Sequence, residues 1–375
     1  MVIMALDHAR DYFHASAFVY NPEDLAHTNV FLFFTRFITH YCAPVFVFLA
    51  GISAYLYGTK KTRKELVFFL LTRGVWLILI ELFILSFFKT FNITYPFFQL
   101  QVIWAIGISM IVLAAAIYAG RTFILIAGIL LIAGHNLLDK IHVPGNGLDS
   151  FLWAVLHDPT RFTFGNTAVL VHYPLLPWIG IMLIGYYAGQ LYSQGFDAKK
   201  RKSILLSIGL ASIMLFIILR AGNFYGEAAH WSTQKNVAFS LLSFLNVTKY
   251  PPSLLYILVT LGPALIFLAL AEKPLNALTA KIVVFGRVPM FYYLSHFLLL
   301  HILATIAAAI SGYHWYDMIL STRVNASPQL KGYGFSLAVV YAVWIGVVLF
   351  LYPLCKWFAQ YKKDHQSEKW WLSYI

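Results

Sequence analysis

Hydrophobic residues fill this chain in long blocks rather than in short stripes. Nine windows of mostly apolar residues fall at 33–58, 66–88, 97–118, 122–138, 175–192, 203–219, 253–271, 282–310 and 333–358. Most approach or exceed the roughly 20 residues that span a bilayer as an α-helix. The window at 122–138 is short, and the one at 282–310 is long enough to tilt or break. A semi-apolar stretch at 236–247 reads as an interfacial or re-entrant helix. The first six residues are apolar and run straight into Asp7 and His8. They predict a stub helix reaching about Phe13, and with it an all-α transmembrane bundle of about ten helices. No long polar stretch offers a separate soluble module, so residues 1–375 read as a single transmembrane domain.

Composition agrees. The chain is 60% hydrophobic and 11% charged, where a soluble domain carries about 25% charged residues. Surface does not shrink fast enough with size for a soluble core to hide so much apolar area. A formal charge of +12 raises the question of nucleic acid. The basic residues, however, gather between apolar windows, at Lys60, Lys61, Arg63 and Lys64 and at Lys199, Lys200, Arg201 and Lys202. Cytoplasmic loops have that character. With 60–64 inside, 120–121, 197–202, 272–281 and the tail from Lys356 are inside too, and both termini are expected in the cytoplasm. No basic stripe carries a nucleic-acid fold signature. Cys42 and Cys355 both lie in apolar windows, so neither a disulfide nor a cysteine metal site is expected.

Three constellations carry chemistry. In the first, Asp7, Arg10 and Asp11 share a helix face at i,i+3 and i,i+4, with His8 offset and His14 beyond. A histidine beside carboxylates can hold a proton near neutral pH and serve as general acid or base. A capped helix end at the headgroup level is the plainer reading. The second is the set Arg36, His40, Arg73, Glu81, Arg287, His296 and His301, all inside apolar windows. Such groups are costly toward lipid and are expected to face the bundle interior or a wet cavity. Arg73 and Glu81 lie about two turns apart on one side of their helix, while His296 and His301 point apart and make no metal pair. The third is the segment 243–253, where Pro251 and Pro252 suit a helix start. Its Asn246, Lys249 and Ser253 could bind a polar substrate at the membrane boundary. P-loop, HExxH, GxSxG and GxGxxG motifs are absent.

Several stretches together resemble the heparan-α-glucosaminide N-acetyltransferase-like family, in its bacterial branch. They are MVIMALDHARDYF (1–13), THYCAPVFVFLAG (39–51), LLTRGVWLILIE (70–81), VIWAIGISMI (102–111), YPLLPWIGIMLIGYYAG (173–189), SFLNVTKYPPSLL (243–255) and FGRVPMFYYLSHFLLLH (285–301). Family members carry an arginine-containing segment before the first apolar stretch. Its absence here implies a chain that begins partway along its first helix.

The resemblance implies an acyltransferase of the inner membrane. Its donor would be acetyl-CoA or another acyl-CoA, drawn by its phosphates to the basic inside loops, and no metal is implied. The acceptor would be a hydroxyl or amine of an extracytoplasmic glycan or amino sugar. His8 falls at the position of a catalytic histidine and is the expected base, polarised by Asp7 or Asp11. His14 is similar to a second catalytic histidine, as base or transient nucleophile. His296 matches a site histidine on a late helix and, with Arg73, would position the thioester or its oxyanion. Arg10, Asp11, His40, Arg73, Asn246, Lys249, Ser253 and Arg287 are the expected substrate- and cofactor-binding residues. The outer-loop Trp153, Asn166, Trp231 and Trp315 suit a sugar, but such residues also populate any membrane interface. The rival classes are a transporter of a small polar or anionic solute, which polar residues at mid-membrane would also suit, and a non-catalytic envelope scaffold. No inverted repeat supports the first. The sequence leaves oligomeric state open.

Overall fold

The structure, a computed structural model, describes residues 1–366 and 368–374. In chain order the helices are α1 (Val2–Phe13), α2 (Val30–His40), α3 (Cys42–Gly58), α4 (Arg63–Leu79), α5 (Ser86–Thr90), α6 (Val102–Ala119), α7 (Arg121–Gly134), α8 (Leu148–Leu156), α9 (Leu175–Ala188), α10 (Ala198–Gly222), α11 (Val237–Leu245), α12 (Leu254–Leu270), α13 (Ala277–Arg287), α14 (Pro289–Ile310) and α15 (Leu337–His365). Strands β1 (Phe97–Leu100), β2 (Arg161–Phe164) and β3 (Thr167–Val171) form a small sheet in the order β1-β3-β2. Among the described residues seven helices are long and apolar enough to cross a membrane, and Leu254–Leu270 is a shorter apolar one.

The helix starts are set by side chains that satisfy otherwise unpaired N–H groups. Asn29 caps α2, Asp197 caps α10 and Ser253 caps α12, while Thr62 and Glu65 form a reciprocal capping box on α4. The expected window at 282–310 is two helices. Pro289 has no N–H to donate and crowds the residue before it, and Val288 turns out of the helix at φ −131° and ψ 56°. The window at 97–118 opens instead with strand β1, because the mostly apolar Phe97–Leu100 fits a sheet edge as well as a helix turn. The window at 66–88 winds as a π-helix over Ile80–Leu85, which carries Glu81. The semi-apolar stretch holds the short helix α11.

The helices fall into two compact units. One comprises Met1–Cys42, Phe83–Phe97 and Pro274–Ile375. At its heart α1 packs on α2, α14 and α15, and its Ala5 and Ala9 are fully buried, with Leu6, Tyr12 and Phe13 nearly so. The other comprises Ala43–Leu82 and Phe98–Lys273, built from the pairs α4–α6, α7–α9 and α10–α12. Small residues bring these helices close. A Cβ added at Gly74 would lie 2.6 Å from the Gly107 carbonyl oxygen, and one at Gly107 would lie 2.7 Å from that of Gly74. Outward-facing Ile208, Leu210, Met214, Ile217 and Ile218 on α10 are exposed, as a lipid-facing side requires.

Candidate active site

The first unit holds a buried chain of charges. Arg36 Nη1 donates to both oxygens of Asp7, at 2.9 and 2.7 Å. Arg10 Nη2 lies 2.9 Å from Asp7 Oδ1 and donates to Asp11 Oδ1 at 2.7 Å. Arg36 Nε reaches Glu23 Oε2 at 3.4 Å, and His40 Nε2 lies 2.8 Å from Glu23 Oε1. Asp7, Arg10, Arg36 and His40 are all buried. Three carboxylates thus meet two guanidiniums and one imidazole, and the ladder ties α1 to α2 and to the loop that carries Glu23. Charges taken this far from water are tolerated only when paired in this way.

His8 leaves α1 in another direction. Its half-buried ring lies beside α14, 5.2 Å from the ring centroid of His296, 4.1 Å from Phe297 and 6.5 Å from Tyr293. The carboxylate expected to polarise it, Asp7, is held by Arg36 and Arg10, and Asp11 by Arg10. Among the neighbours of His8 is a second imidazole, that of His296.

His296 is fully buried. Its Nδ1 lies 2.9 Å from the Tyr292 carbonyl oxygen, which can only accept, so the ring proton sits on Nδ1 and Nε2 carries the lone pair. That Nε2 is buried with no hydrogen-bond partner among the described residues. A buried acceptor left open is uncommon and calls for an explanation. The ring also stacks on Tyr292 at 5.3 Å.

His14 has the opposite tautomer. Its Nδ1 accepts from the Ser16 backbone N–H at 3.2 Å and lies 2.5 Å from Ser16 Oγ, so the neutral ring carries its proton on Nε2. Burial, and then the Arg10 charge, push its pKa below the usual histidine value. Its backbone is fixed by a bridge to Phe335: Phe335 N–H donates to the Phe13 oxygen at 2.7 Å and Ala15 N–H to the Phe335 oxygen at 3.0 Å. Gly334, at φ +126°, permits this approach, since a Cβ there would sit 2.6 Å from Ala15 N. His301 is fully buried between the Phe88 and Met318 carbonyl oxygens at 2.8 and 2.9 Å, stacked on Phe91 at 3.8 Å. Arg287, expected inside a span, is instead exposed at the C-terminal end of α13, because the chain breaks at Pro289. There its charge complements the helix dipole.

The second unit holds the other expected site residues. Arg73 lies 5.7 Å over the Phe69 ring, and buried Glu81 accepts from Trp104 N–H at 3.4 Å. Ser253 is committed twice: its hydroxyl donates to Glu227 Oε2 at 2.8 Å and caps α12 by accepting from Tyr256 N–H at 3.0 Å. The Asn246 carbonyl accepts from Arg220, and Lys249 is buried over the Tyr250 ring at 5.3 Å. The sequence reading missed Arg220 and Glu227, which organise this segment. Their signal was an arginine at the end of an apolar window, with the only acidic residue of the following loop seven positions on. Ser53, Leu56, Tyr57, Lys60 and Lys61 line an open depression of about 340 Å³, a place where two ammoniums and an aromatic ring would suit the phosphates and base of a nucleotide. Among the described residues no group of three or more His, Cys, Asp or Glu is arranged to hold a metal ion.

No curated protein and no solved structure matches the chain. A family model does match, that of the heparan-alpha-glucosaminide N-acetyltransferase catalytic region, over residues 1–221. The match takes in α1, with Asp7, His8, Arg10 and His14, and ends before α12 and α14. Covering more than half of the sequence, it shows that the chain, a bundle of membrane-crossing helices, belongs to the heparan-alpha-glucosaminide N-acetyltransferase family of membrane acyltransferases.

Proposed function

We propose that this protein moves an acetyl group from acetyl-CoA to a hydroxyl or amine of an extracytoplasmic glycan or amino sugar, with His8 and His296 acting as a pair. The observation that carries this reading is the bare, buried Nε2 of His296 beside the half-buried ring of His8. A neutral His8 that turns one N–H toward that lone pair presents its other nitrogen as a base.

In this reading the acceptor O–H or N–H gives its proton to His8 as its heteroatom attacks the thioester carbon. The carbon–sulfur bond then breaks, and the proton passes from His8 to the departing thiolate. His296 shares the transient imidazolium charge, as a fixed acceptor behind a catalytic base does. His14, with its proton on Nε2, is a hydrogen-bond donor suited to the carbonyl oxygen as it gains charge. The ladder from Asp11 to His40 holds α1, and so both histidines, in place. Acetyl-CoA supplies the activated acyl group from the cytoplasmic face of the inner membrane, where both termini also lie under the positive-inside rule.

The test is acetyl transfer from labelled acetyl-CoA to an amino-sugar acceptor in membranes carrying His8→Ala, His14→Ala or His296→Ala. Loss in His8→Ala and His296→Ala is expected. Full activity in all three overturns the proposal.

A further inference from the structure

We infer that Lys249 is the recognition group of an oxyanion-binding site in the second unit, built to take a carboxylate or a phosphate. Lys249 is 7% exposed. A lysine buried to that degree ordinarily finds a carboxylate. Among the described residues its ammonium makes neither an ion pair nor a hydrogen bond, and rests on the face of Tyr250. The residue is not sealed, since that small exposed fraction remains. The stem is inside while the charge keeps an opening.

Glu227, the acidic group of this loop, is already occupied. It accepts from Thr248 N–H at 2.7 Å, Thr248 Oγ1 at 2.6 Å, Ser253 Oγ at 2.8 Å and Ala229 N–H at 3.2 Å. The chain on either side of Lys249 is pinned by the same devices. Arg220 donates to the carbonyl oxygens of Phe244, Ser243 and Asn246, and Ser253 N–H donates to the Thr248 oxygen at 3.0 Å. A backbone held this rigidly has lost its conformational freedom before any ligand arrives, which lowers the cost of preorganised binding.

The ligand class follows from the donor. An ammonium offers three N–H donors and no acceptor, and an oxyanion is its strong partner. The ring under the ammonium belongs to an aromatic cluster: Tyr250 lies 3.8 Å from His172 and 5.3 Å from Tyr173 by ring centroids. Flat rings beside a single cation suit an anion attached to a body with an apolar face, such as a uronic acid or the phosphate end of a pantetheine chain. Those two sources rest on the acyl-transfer reading; the oxyanion site itself does not.

The experiment is ligand-induced thermal stabilisation of the detergent-solubilised protein at matched ionic strength. The probes are two pairs, CoA against pantetheine and glucuronate against glucose, applied to wild type, Lys249→Met and Lys249→Arg. The anionic member of at least one pair should stabilise the wild type where its neutral partner does not. Lys249→Met should weaken that binding about tenfold or more, and Lys249→Arg should retain most of it. Preference for CoA places the oxyanion on the donor, and preference for glucuronate places it on the acceptor. Equal response to anionic and neutral probes overturns the inference, as does unchanged anion binding by Lys249→Met. Should Lys249→Met fail to fold, Lys249→Gln takes its place, because the depression at Lys60 and Lys61 would by itself favour CoA over pantetheine. Because no turnover is measured, the result stands apart from that of the acetyl-transfer assay.

Discussion

The rings of His8 and His296 lie 5.2 Å apart, and the inner one keeps a buried lone pair that nothing else in the described structure uses. If the two act as a unit, their losses do not multiply. His296→Phe keeps an aromatic ring against Tyr292 and removes only the nitrogen chemistry, and it is expected to lower kcat by about 100- to 10,000-fold, the usual worth of a positioned acid–base group. The double variant with His8→Ala should then be little worse than His8→Ala alone. Losses that multiply across the two sites would mean that the histidines work separately.

Asp7, the sequence neighbour of His8, pairs with both Arg36 and Arg10. Its loss should therefore appear first in stability. Asp7→Asn removes the carboxylate that Arg10 and Arg36 share and leaves them only Asp11 and Glu23, a change bounded by the about 3–5 kcal/mol that breaking a buried pair outright costs. The check is the thermal unfolding midpoint in detergent, which should fall clearly for Asp7→Asn and hardly at all for His8→Ala. Combining Asp7→Leu with Arg36→Met should recover much of the loss, since a well-packed apolar pair replaces a buried ionic one at little cost. A midpoint unchanged by Asp7→Asn would contradict the ladder.

The apolar windows were legible because lipid imposes a length and a composition on every span. The break at Pro289 was foreshadowed by length alone, and the proline supplies its cause. Within α1 the local arithmetic worked for one pair: Arg10 does meet Asp7, three back, while its contact with the adjacent Asp11 was not part of that spacing. The partners from other elements were not readable. Glu23 lies in irregular chain, whose path no periodicity sets, yet it joins Arg36 to His40. The tautomers of His14 and His296 depend on a backbone N–H and a backbone carbonyl, so residue types could not distinguish them. Residues 97–100 show the remaining limit, since three apolar positions around Gln99 serve a strand or a helix equally well until a pairing partner decides.

His14 gives a pH dependence with a definite sign. Burial, then Arg10, hold its folded pKa below the usual 6.5. Between the folded value and about 6.5 the unfolded chain binds a proton that the folded chain does not, so stability rises with pH in that window. The contribution is fully present above about pH 6.5 and is lost as pH falls through the folded value. Unfolding midpoints measured from pH 5 to pH 8 should thus decline on the acid side in the wild type, and less steeply in His14→Gln. An identical acid-side slope in the two proteins would remove His14 from the account.

Arg220 anchors the loop that carries Lys249. It is 1% exposed, and its guanidinium donates to four backbone oxygens: Phe244 at 3.0 Å, Ala229 at 2.7 Å, Ser243 at 2.9 Å and Asn246 at 2.6 Å. Only a planar fork reaches acceptors spread this way, so a lysine ammonium, though charged, is not an equivalent. Arg220→Lys is expected to strand at least two buried carbonyls at about 1–3 kcal/mol each. Hydrogen exchange should show the damage locally, as faster exchange in residues 243–253 while α4 and α6 stay protected. The same variant separates two explanations of anion binding by Lys249. If the ammonium alone is enough, Arg220→Lys binds oxyanions as the wild type does. If the pinned loop matters, binding weakens although Lys249 is untouched, and the second result is the one the geometry predicts.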